Sequence, residues 1–208
     1  MLFRSEMLAA QLKIEDANDK RLFEIAFREI RRLNGLITDF LEFAKPKDEQ
    51  ADNVQIEITV KEVSEAMLAD TSKGKISFKL DIPTNLILHI NRERVKQVLF
   101  NLFLNSVEAT GGEGVKISVF AKDNENGQAL LDVIDDGPGI PSENLTRIFD
   151  PFFTTKSSGT GLGLATVARI LKAAGSEIHV IPRSQGAHFQ LIIPTASTME
   201  LAEESARG

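Results

Sequence analysis

The chain has 208 residues, in which 30 acidic side chains outnumber 24 basic ones and leave a formal net charge of −6. At about 150 residues per domain, this length predicts one full domain with an appended element. The absence of cysteine excludes disulfides, thiolate zinc sites and cysteine nucleophiles. The acidic balance disfavours a surface for nucleic acid or anionic membranes. No apolar run approaches the ~20 residues of a membrane-spanning helix, and no signal peptide is visible. A cytoplasmic chain without a membrane segment is therefore expected.

Residues 1–46 are predicted to form an antiparallel helical hairpin. In its second half, apolar residues recur at intervals of three and four, as on a helix that packs against a partner helix. They are Phe23, Ala26, Ile30, Leu33, Ile37, Phe40 and Ala44. Residues 1–14 have a weaker helical pattern, and the polar residues 15–20 are interpreted as the connection. This apolar stripe, called the seam below, favours a homodimer that forms a four-helix bundle. The alternative is a hairpin that folds back on its own downstream domain.

Residues 54–194 are predicted to form the main domain, preceded by a linker over 47–53 and followed by a flexible tail over 195–208. Strand alternation is predicted over 54–60, 76–80, 86–90, 115–121, 129–133, 178–181 and 188–193, and helical spacing over 63–68, 92–110 and 162–173. Asn126 and Gly127 supply a hairpin turn. Hairpin strands with interspersed helices indicate an α+β fold in which helices cover one face of a mixed sheet.

Two amides stand out in the predicted helix 92–110. Asn101 and Asn105 lie one helical turn apart and therefore face the same way. Their neighbours are apolar, which places both amides at the edge of a buried stripe. A buried amide needs hydrogen-bond partners. Either amide, taken singly, is equally compatible with a structural role in tying down the end of a strand.

Two glycine-bearing segments follow. Asp135 lies just after the predicted strand 129–133. The glycines at 137 and 139 allow a flat ligand to approach the backbone beside this carboxylate, which suits a purine amine. The second segment, 159–163, opens the helix 162–173, whose first N–H groups form an anion site. Each signal is weak alone, because the first run is more often a turn and glycines of the second kind also serve helix–sheet packing.

Residues 147–156 lie between the two glycine segments and are interpreted as a hinged flap. Phe149, Phe152 and Phe153 form its aromatic anchor, and Thr-Thr-Lys156 follows them. The alternative is that the three phenylalanines are plain core. Both interpretations hold together if the anchor enters the core when the flap is shut.

Taken together, these four stretches resemble the ATP-binding domain of sensor histidine kinases. That domain belongs to the GHKL superfamily, with the Bergerat fold, which is shared with gyrase, the heat-shock chaperone and mismatch-repair ATPases. Residues 101–105 match the N box, 135–139 the G1 box, 149–153 the F box and 159–163 the G2 box. Residues 29–46 are similar to the second helix of the dimerisation and phosphotransfer hairpin, and the Phe-Phe-Thr-Thr-Lys flap is most similar to the nitrogen-regulation-type subgroup. The implied fold is a two-layer α/β sandwich.

The resemblance also implies roles for individual residues. Asn105 is expected to ligate the Mg²⁺ that bridges the nucleotide phosphates, and Asp135 to accept a hydrogen bond from the adenine amine. Lys156 is expected to reach the terminal phosphate. The remaining nucleotide-binding positions are Asn101, Gly137, Gly139, Ile140, Gly159, Thr160, Gly161, Leu162 and Gly163.

Position 101 separates two chemistries. ATPases of this superfamily carry a glutamate there to activate water, whereas histidine kinases commonly carry asparagine. Asn101 cannot act as a general base, and a histidine acceptor needs no activated water. The resemblance thus favours a kinase, with Asn101 and Lys156 as its catalytic residues, over an ATPase with a conformational cycle.

The sequence departs from the family pattern at the phosphoacceptor. No histidine lies in the hairpin region, and His89, His179 and His188 fall in predicted strands. The acceptor is expected a few residues before Met1, so the chain is interpreted as truncated, or less readily as a protein that has lost its acceptor, and no self-phosphorylation on histidine is expected. Asn91 and Asp136 also depart from the pattern, and both are expected to be tolerated, because neither occupies a position assigned to nucleotide or metal.

The expected function is that of the catalytic portion of a two-component sensor kinase. With ATP (or ADP) and Mg²⁺ as cofactors, it would transfer the γ-phosphoryl group to a histidine, from which the receiver domain of a response regulator would take it. The alternatives are a dimerising or nucleotide-binding module without activity, and a serine-kinase relative of the same superfamily.

Overall fold

The computed structural model describes residues 17–44, 50–70, 74–111, 113–124, 126–156 and 159–196. The chain divides into two compact units, Met1–Lys45 and Pro46–Gly208. In the first unit, helix α1 spans Ala17–Ala44. It includes residues 17–20, which were expected in the connection, while the predicted first helix, 1–14, lies outside the described residues. Within the described parts of the chain, no helix is long and apolar enough to cross a membrane.

The second unit alternates strands and helices. Their bounds are β1 (Asp52–Gln55), α2 (Ile56–Ala69), β2 (Ile76–Asp81), β3 (Ile87–Ile90), α3 (Arg92–Ala109), β4 (Val115–Asp123), β5 (Gln128–Asp135), a short 3₁₀ helix (Ser142–Asn144), α4 (Gly163–Ala173), β6 (Glu177–Val180) and β7 (His188–Pro194). The composition of strands and helices confirms the α+β class.

The strands form a mixed sheet of order β2-β4-β5-β7-β6 and a separate antiparallel pair, β1-β3. Strands β2 and β4 are parallel, and the other neighbours in the large sheet are antiparallel. Alternate residues of β4, β5 and β7 are buried, as expected of a sheet that packs on one face. These residues share one apolar cluster with the buried sides of α2, α3 and α4. The layers place the end of β5 beside α3, where the candidate site is built.

The start of the second unit differs from the prediction. Residues 54–60 were expected as a strand, but only Asp52–Gln55 is extended and α2 begins at Ile56. The reason is that Ile56, Val60, Val63 and Met67 recur at helical spacing and are all buried. Strand β1 also begins inside the predicted linker, because it pairs with β3.

The ends of α3 explain why it matches the predicted helix 92–110 so closely. Asn91 caps it, since its side-chain Oδ1 accepts a hydrogen bond from the N–H of Arg94 at 3.1 Å. This bond gives Asn91 a structural role. After the C-cap residue Thr110, which follows Ala109, Gly111 adopts a positive φ of 62°. Between these ends, α3 holds a continuous buried stripe that fixes its rotation against the sheet.

Substitution of Phe103 tests the packing of α3 against the sheet. Phe103 is fully buried, and its ring lies 5.1 Å from that of Phe78 on β2. We expect Phe103→Ala to lower the free energy of unfolding by about 3–5 kcal/mol, because a cavity replaces the ring. Phe100→Ala on the same helix, where the side chain is 40% exposed, should cost about 1 kcal/mol or less. Urea unfolding of both variants checks the contrast, and equal losses would contradict it.

Candidate functional site

A pocket of about 150 Å³ opens between α3, the end of β5 and the segment 147–156. Both polar and apolar side chains line it. They are Asn105, Ser106, Ala109, Asp135, Gly139, Ile140, Pro141, Asn144, Ile148, Phe153, Thr154, Thr155, Lys156, Leu164, Ala187 and Phe189. These residues come from α3, α4, β5, β7 and two loops, so the pocket depends on how these elements pack together.

Asp135 is the buried carboxylate of the pocket. Its Oδ1 accepts hydrogen bonds from the backbone N–H groups of Gly137 and Ala187, each at 3.0 Å, and its Oδ2 accepts one from the Ser106 hydroxyl at 2.8 Å. A carboxylate offers about four acceptor positions. Three donors fix the orientation of this group and leave one position for a ligand that carries an N–H donor.

Two loops pass close to each other around this carboxylate. Gly186, with φ 71°, donates its N–H to the carbonyl of Gly137 at 3.0 Å. A Cβ added to Gly186 would overlap the Asp135 carbonyl oxygen, far inside the contact distance of the two atoms. A Cβ added to Gly139, which has φ 81°, would lie 3.0 Å from the carbonyl oxygen of Gly186, a less severe approach. The glycines therefore allow the loop before β7 to bring the Ala187 N–H onto Asp135.

Asn101 and Asn105 lie on one face of α3, beside the first residue of α4. A Cβ added to Gly163 would be 3.5 Å from Oδ1 of Asn101 and 3.8 Å from Nδ2 of Asn105. That Nδ2 atom is buried and has no hydrogen-bond partner. Leu162, the residue immediately before α4, provides no side-chain cap for the helix. The arrangement brings two amides to an uncapped helix N-terminus, where anions bind favourably.

Lys156 crosses from the flap to α3. Its Nζ lies 2.8 Å from Oε2 of Glu108 and 3.5 Å from both the backbone oxygen and Oδ1 of Asn105. The ammonium therefore occupies the side of Asn105 on which a cation can meet its oxygens.

The flap is anchored by two of its three phenylalanines. Phe149 and Phe153 pack against the core, and the Arg147 guanidinium lies 4.6 Å from the centre of the Phe153 ring. Phe152 was expected to share this role, but its side chain is 61% exposed and its φ is 67°. Its N–H donates to the carbonyl of Gly161 at 2.9 Å. A Cβ on Gly161 would collide with the Phe152 backbone, so the chain crosses itself here only because residue 161 is glycine.

The pocket brings together five of the predicted site residues: Asn105, Asp135, Gly139, Ile140 and Lys156. The others lie outside its lining. Asn101 and Gly163 lie next to Asn105, and the N–H of Gly137 donates a hydrogen bond to Asp135. Residues 159–162 lead into α4. Within this segment Leu162 is buried, and its N–H donates a hydrogen bond to Oγ1 of Thr160 at 3.3 Å.

Sequence reasoning missed Ser106, Glu108, Gly186 and Ala187. Glu108 could have been predicted from the sequence, because a residue three positions after Asn105 lies on the same helical face. Ser106 and Ala187 both donate to Asp135 from 29 and 52 residues away in the chain. No local sequence pattern predicts contacts between residues so far apart in the chain.

Residues 90–197 match the family model described as histidine kinase-, DNA gyrase B-, and HSP90-like ATPase. The match covers slightly more than half of the chain. The chain belongs to this ATPase family. Its mixed sheet and helices are those of the GHKL fold, and the resemblance to the catalytic domain of sensor histidine kinases is confirmed by the relatives.

One relative of this GHKL chain is the signal transduction histidine-protein kinase AtoS of Escherichia coli, 34% identical over 182 residues, which are 86% of this chain and 30% of AtoS. Among solved structures, the nucleotide-free catalytic domain of histidine kinase ThkA is 34% identical, with a TM-score of 0.63 over 70% of this chain and 96% of that one. Full-length ShkA in complex with AMPPNP is 31% identical, with a TM-score of 0.68 over 86% and 39%. The chain spans about a third of the length of the curated relatives it matches.

Substitution of Gly186 tests the close approach behind Asp135. Any L-residue with such a positive φ costs about 1–2 kcal/mol, and Gly186→Ala should lose a further 1–3 kcal/mol, roughly, from overpacking against the Asp135 carbonyl. Gly175→Ala is the matched control, because Gly175 has φ 63° and no atom within 4 Å of an added Cβ. Denaturant unfolding should show the larger loss for Gly186→Ala. Equal losses would mean that the two loops can separate without cost.

Proposed function

We propose that this chain is the ATP-binding catalytic portion of a two-component sensor histidine kinase. In the whole protein it transfers the γ-phosphoryl group of ATP to a histidine, from which a response-regulator aspartate takes it. The observation that carries the proposal is the Asp135 carboxylate, with one free acceptor position, in a pocket that also contains Asn105 and Lys156. Membership of the ATPase family and the AMPPNP complex of ShkA support it.

The base is recognised at Asp135. The remaining acceptor position of Asp135 suits the exocyclic amine of adenine, and the backbone of Gly139 and Ile140 admits a flat ring. The volume of about 150 Å³ is below the roughly 300–1,000 Å³ of pockets that enclose drug-sized ligands. The pocket therefore holds the base, and the phosphates extend along its mouth.

The phosphates meet the start of α4. The backbone N–H groups at this helix N-terminus favour anions, and the glycines Gly159, Gly161 and Gly163 keep side chains away from the approach. Thr160 and Leu162 shape the turn that leads into the helix. Lys156 is the basic side chain of the pocket lining and supplies the compensating charge for the terminal phosphate.

The residues present also fit Mg²⁺. Asn105 offers a hard amide oxygen, and the Lys156 ammonium, itself a cation, lies 3.5 Å from this Oδ1. The Nδ2 of Asn105, which is buried without a partner, is a donor and suits a phosphate oxygen. Asn105 is therefore the residue that would hold the ion. When bound, Mg²⁺ neutralises charge on the phosphates and promotes in-line transfer.

Asn101 defines the reaction class. Its amide cannot take a proton from water at neutral pH, so it positions groups near the start of α4 without serving as a general base. Phosphoryl transfer to an imidazole, which is itself a nucleophile, requires only such positioning and charge neutralisation. This observation favours the kinase over a hydrolytic cycle.

Calorimetric titration with ADP tests the nucleotide site. We expect micromolar affinity, about −8 kcal/mol, and a loss of roughly 10- to 100-fold for Asp135→Asn, which removes a charge-assisted acceptor. Asp132→Asn is the matched control, because Asp132 is on the same strand but binds His188 and Gln190 outside the pocket. Asn105→Ala should abolish the part of the affinity that depends on Mg²⁺.

Absence of ADP binding, with or without Mg²⁺, would overturn the proposal in favour of a non-catalytic module. An equal effect of Asp135→Asn and Asp132→Asn would show that the loss reflects general destabilisation of the sheet. Thermal unfolding of each variant without nucleotide then separates a specific loss of nucleotide binding from a general loss of stability.

The proposed partners are a second copy of the chain and a response regulator. The structure of ThkA with response regulator protein TrrA, 28% identical with a TM-score of 0.72 over 94% of this chain and 57% of that one, supports the second. The apolar stripe of α1, with Ile30, Leu33, Ile37 and Phe40 all about half exposed, supports the first.

Self-association through α1 is tested by the double variant Leu33→Glu, Ile37→Glu. Sedimentation equilibrium should give twice the 22.9 kDa chain mass for the wild type and the single mass for the variant, because two charges would be buried in the seam. Arg28→Glu, an exposed change off the stripe, should leave the mass unchanged. A monomeric wild type would contradict the homodimer.

A further inference from the structure

Glu108 binds the flap lysine outside the pocket. The Lys156 ammonium makes its shortest contact, 2.8 Å, to Oε2 of Glu108, whereas both oxygens of Asn105 are 3.5 Å away, at the limit of a hydrogen bond. Lys156 lines the pocket and Glu108 does not. The carboxylate therefore draws the ammonium towards the exposed end of α3, and the pocket receives less of its charge.

The pair is poised to break. The side chains of Lys156 and Glu108 are 30% and 46% exposed, so water screens their attraction. A lysine has a long flexible stem and three donors, which lets it exchange one oxygen partner for another without loss of hydrogen bonds. The phosphates of a nucleotide at the start of α4 would offer it more negative charge than one carboxylate does.

We infer that Glu108 is a positioning residue for Lys156, which it holds against α3 without nucleotide and releases to the nucleotide phosphates on binding. The inference rests on the proposed function, because it concerns the same site. Breaking the ion pair is then part of each binding event, and Glu108 lowers the affinity of the site for nucleotide. A carboxylate that stabilised nucleotide or Mg²⁺ directly would have the opposite effect.

The sign of this effect makes a sharp test. Glu108→Gln keeps the shape of the side chain and removes the pair, so calorimetric affinity for AMPPNP, which carries the terminal phosphate, should rise about two- to fivefold, the size of an exposed ion pair. Lys156→Met should lower the affinity. Glu93→Gln is the matched control, because Glu93 is on the same helix and pairs with Lys96 at 3.2 Å near its other end; it should change nothing.

A double-mutant cycle separates release of Lys156 from simple repulsion between Glu108 and the phosphates. If Glu108 acts through Lys156, the gain from Glu108→Gln is larger in the wild type than in the Lys156→Met background. Repulsion alone gives the reverse, because Glu108 is then unshielded once the lysine is gone. A gain confined to the Lys156→Met background, or no gain at all, overturns the inference.

A second measurement needs no nucleotide. Acylation of lysines by a reactive ester, read by mass spectrometry, should modify Lys156 several-fold faster in Glu108→Gln than in the wild type, with the exposed Lys122 as an internal standard. Equal rates would show that the pair does not hold the flap lysine. If ADP binding responds to Asp135→Asn but AMPPNP binding does not respond to Glu108→Gln, only this inference fails, and the proposed function stands.

Discussion

The candidate site depends on one buried carboxylate and the three donors that hold it. Asp135 ends β5, Ser106 comes from α3, and the Gly137 and Ala187 N–H groups come from the loops that follow β5 and precede β7. A buried carboxylate is tolerated only when hydrogen bonds replace its water. The same bonds that make Asp135 stable inside the protein also determine which of its acceptor positions faces the pocket.

The order of strands makes this arrangement possible. Because β5 lies between β4 and β7, the loop before β7 arrives beside the end of β5 although the two are about fifty residues apart. The approach is so close that position 186 has room only for hydrogen. The geometry of the pocket thus follows from sheet topology and from glycine, and the polar side chains are placed on a backbone that is already fixed.

This division explains what could be predicted from the sequence. Helix α3 was predicted within one residue of its bounds, because its buried stripe, its Asn91 cap and its terminal glycine are local signals. The position of Asp135 at a strand end was also predictable from local alternation. The pairing of β1 with β3, the helix that replaced the predicted strand 54–60, and the bond from Ser106 to Asp135 were not, because each depends on burial or contact between distant segments.

Under the proposed function, the side chains near the start of α4 contribute charge and positioning without activating water. Asn101 and Asn105 offer amides, and Lys156 offers an ammonium that in the structure pairs with Glu108. None of these three groups, Asn101, Asn105 and Lys156, takes a proton from water, so what they contribute is placement of charge. If the lysine must leave a carboxylate before it meets a phosphate, full neutralisation arises only once the nucleotide has arrived, and the state that favours transfer is assembled by the substrate itself.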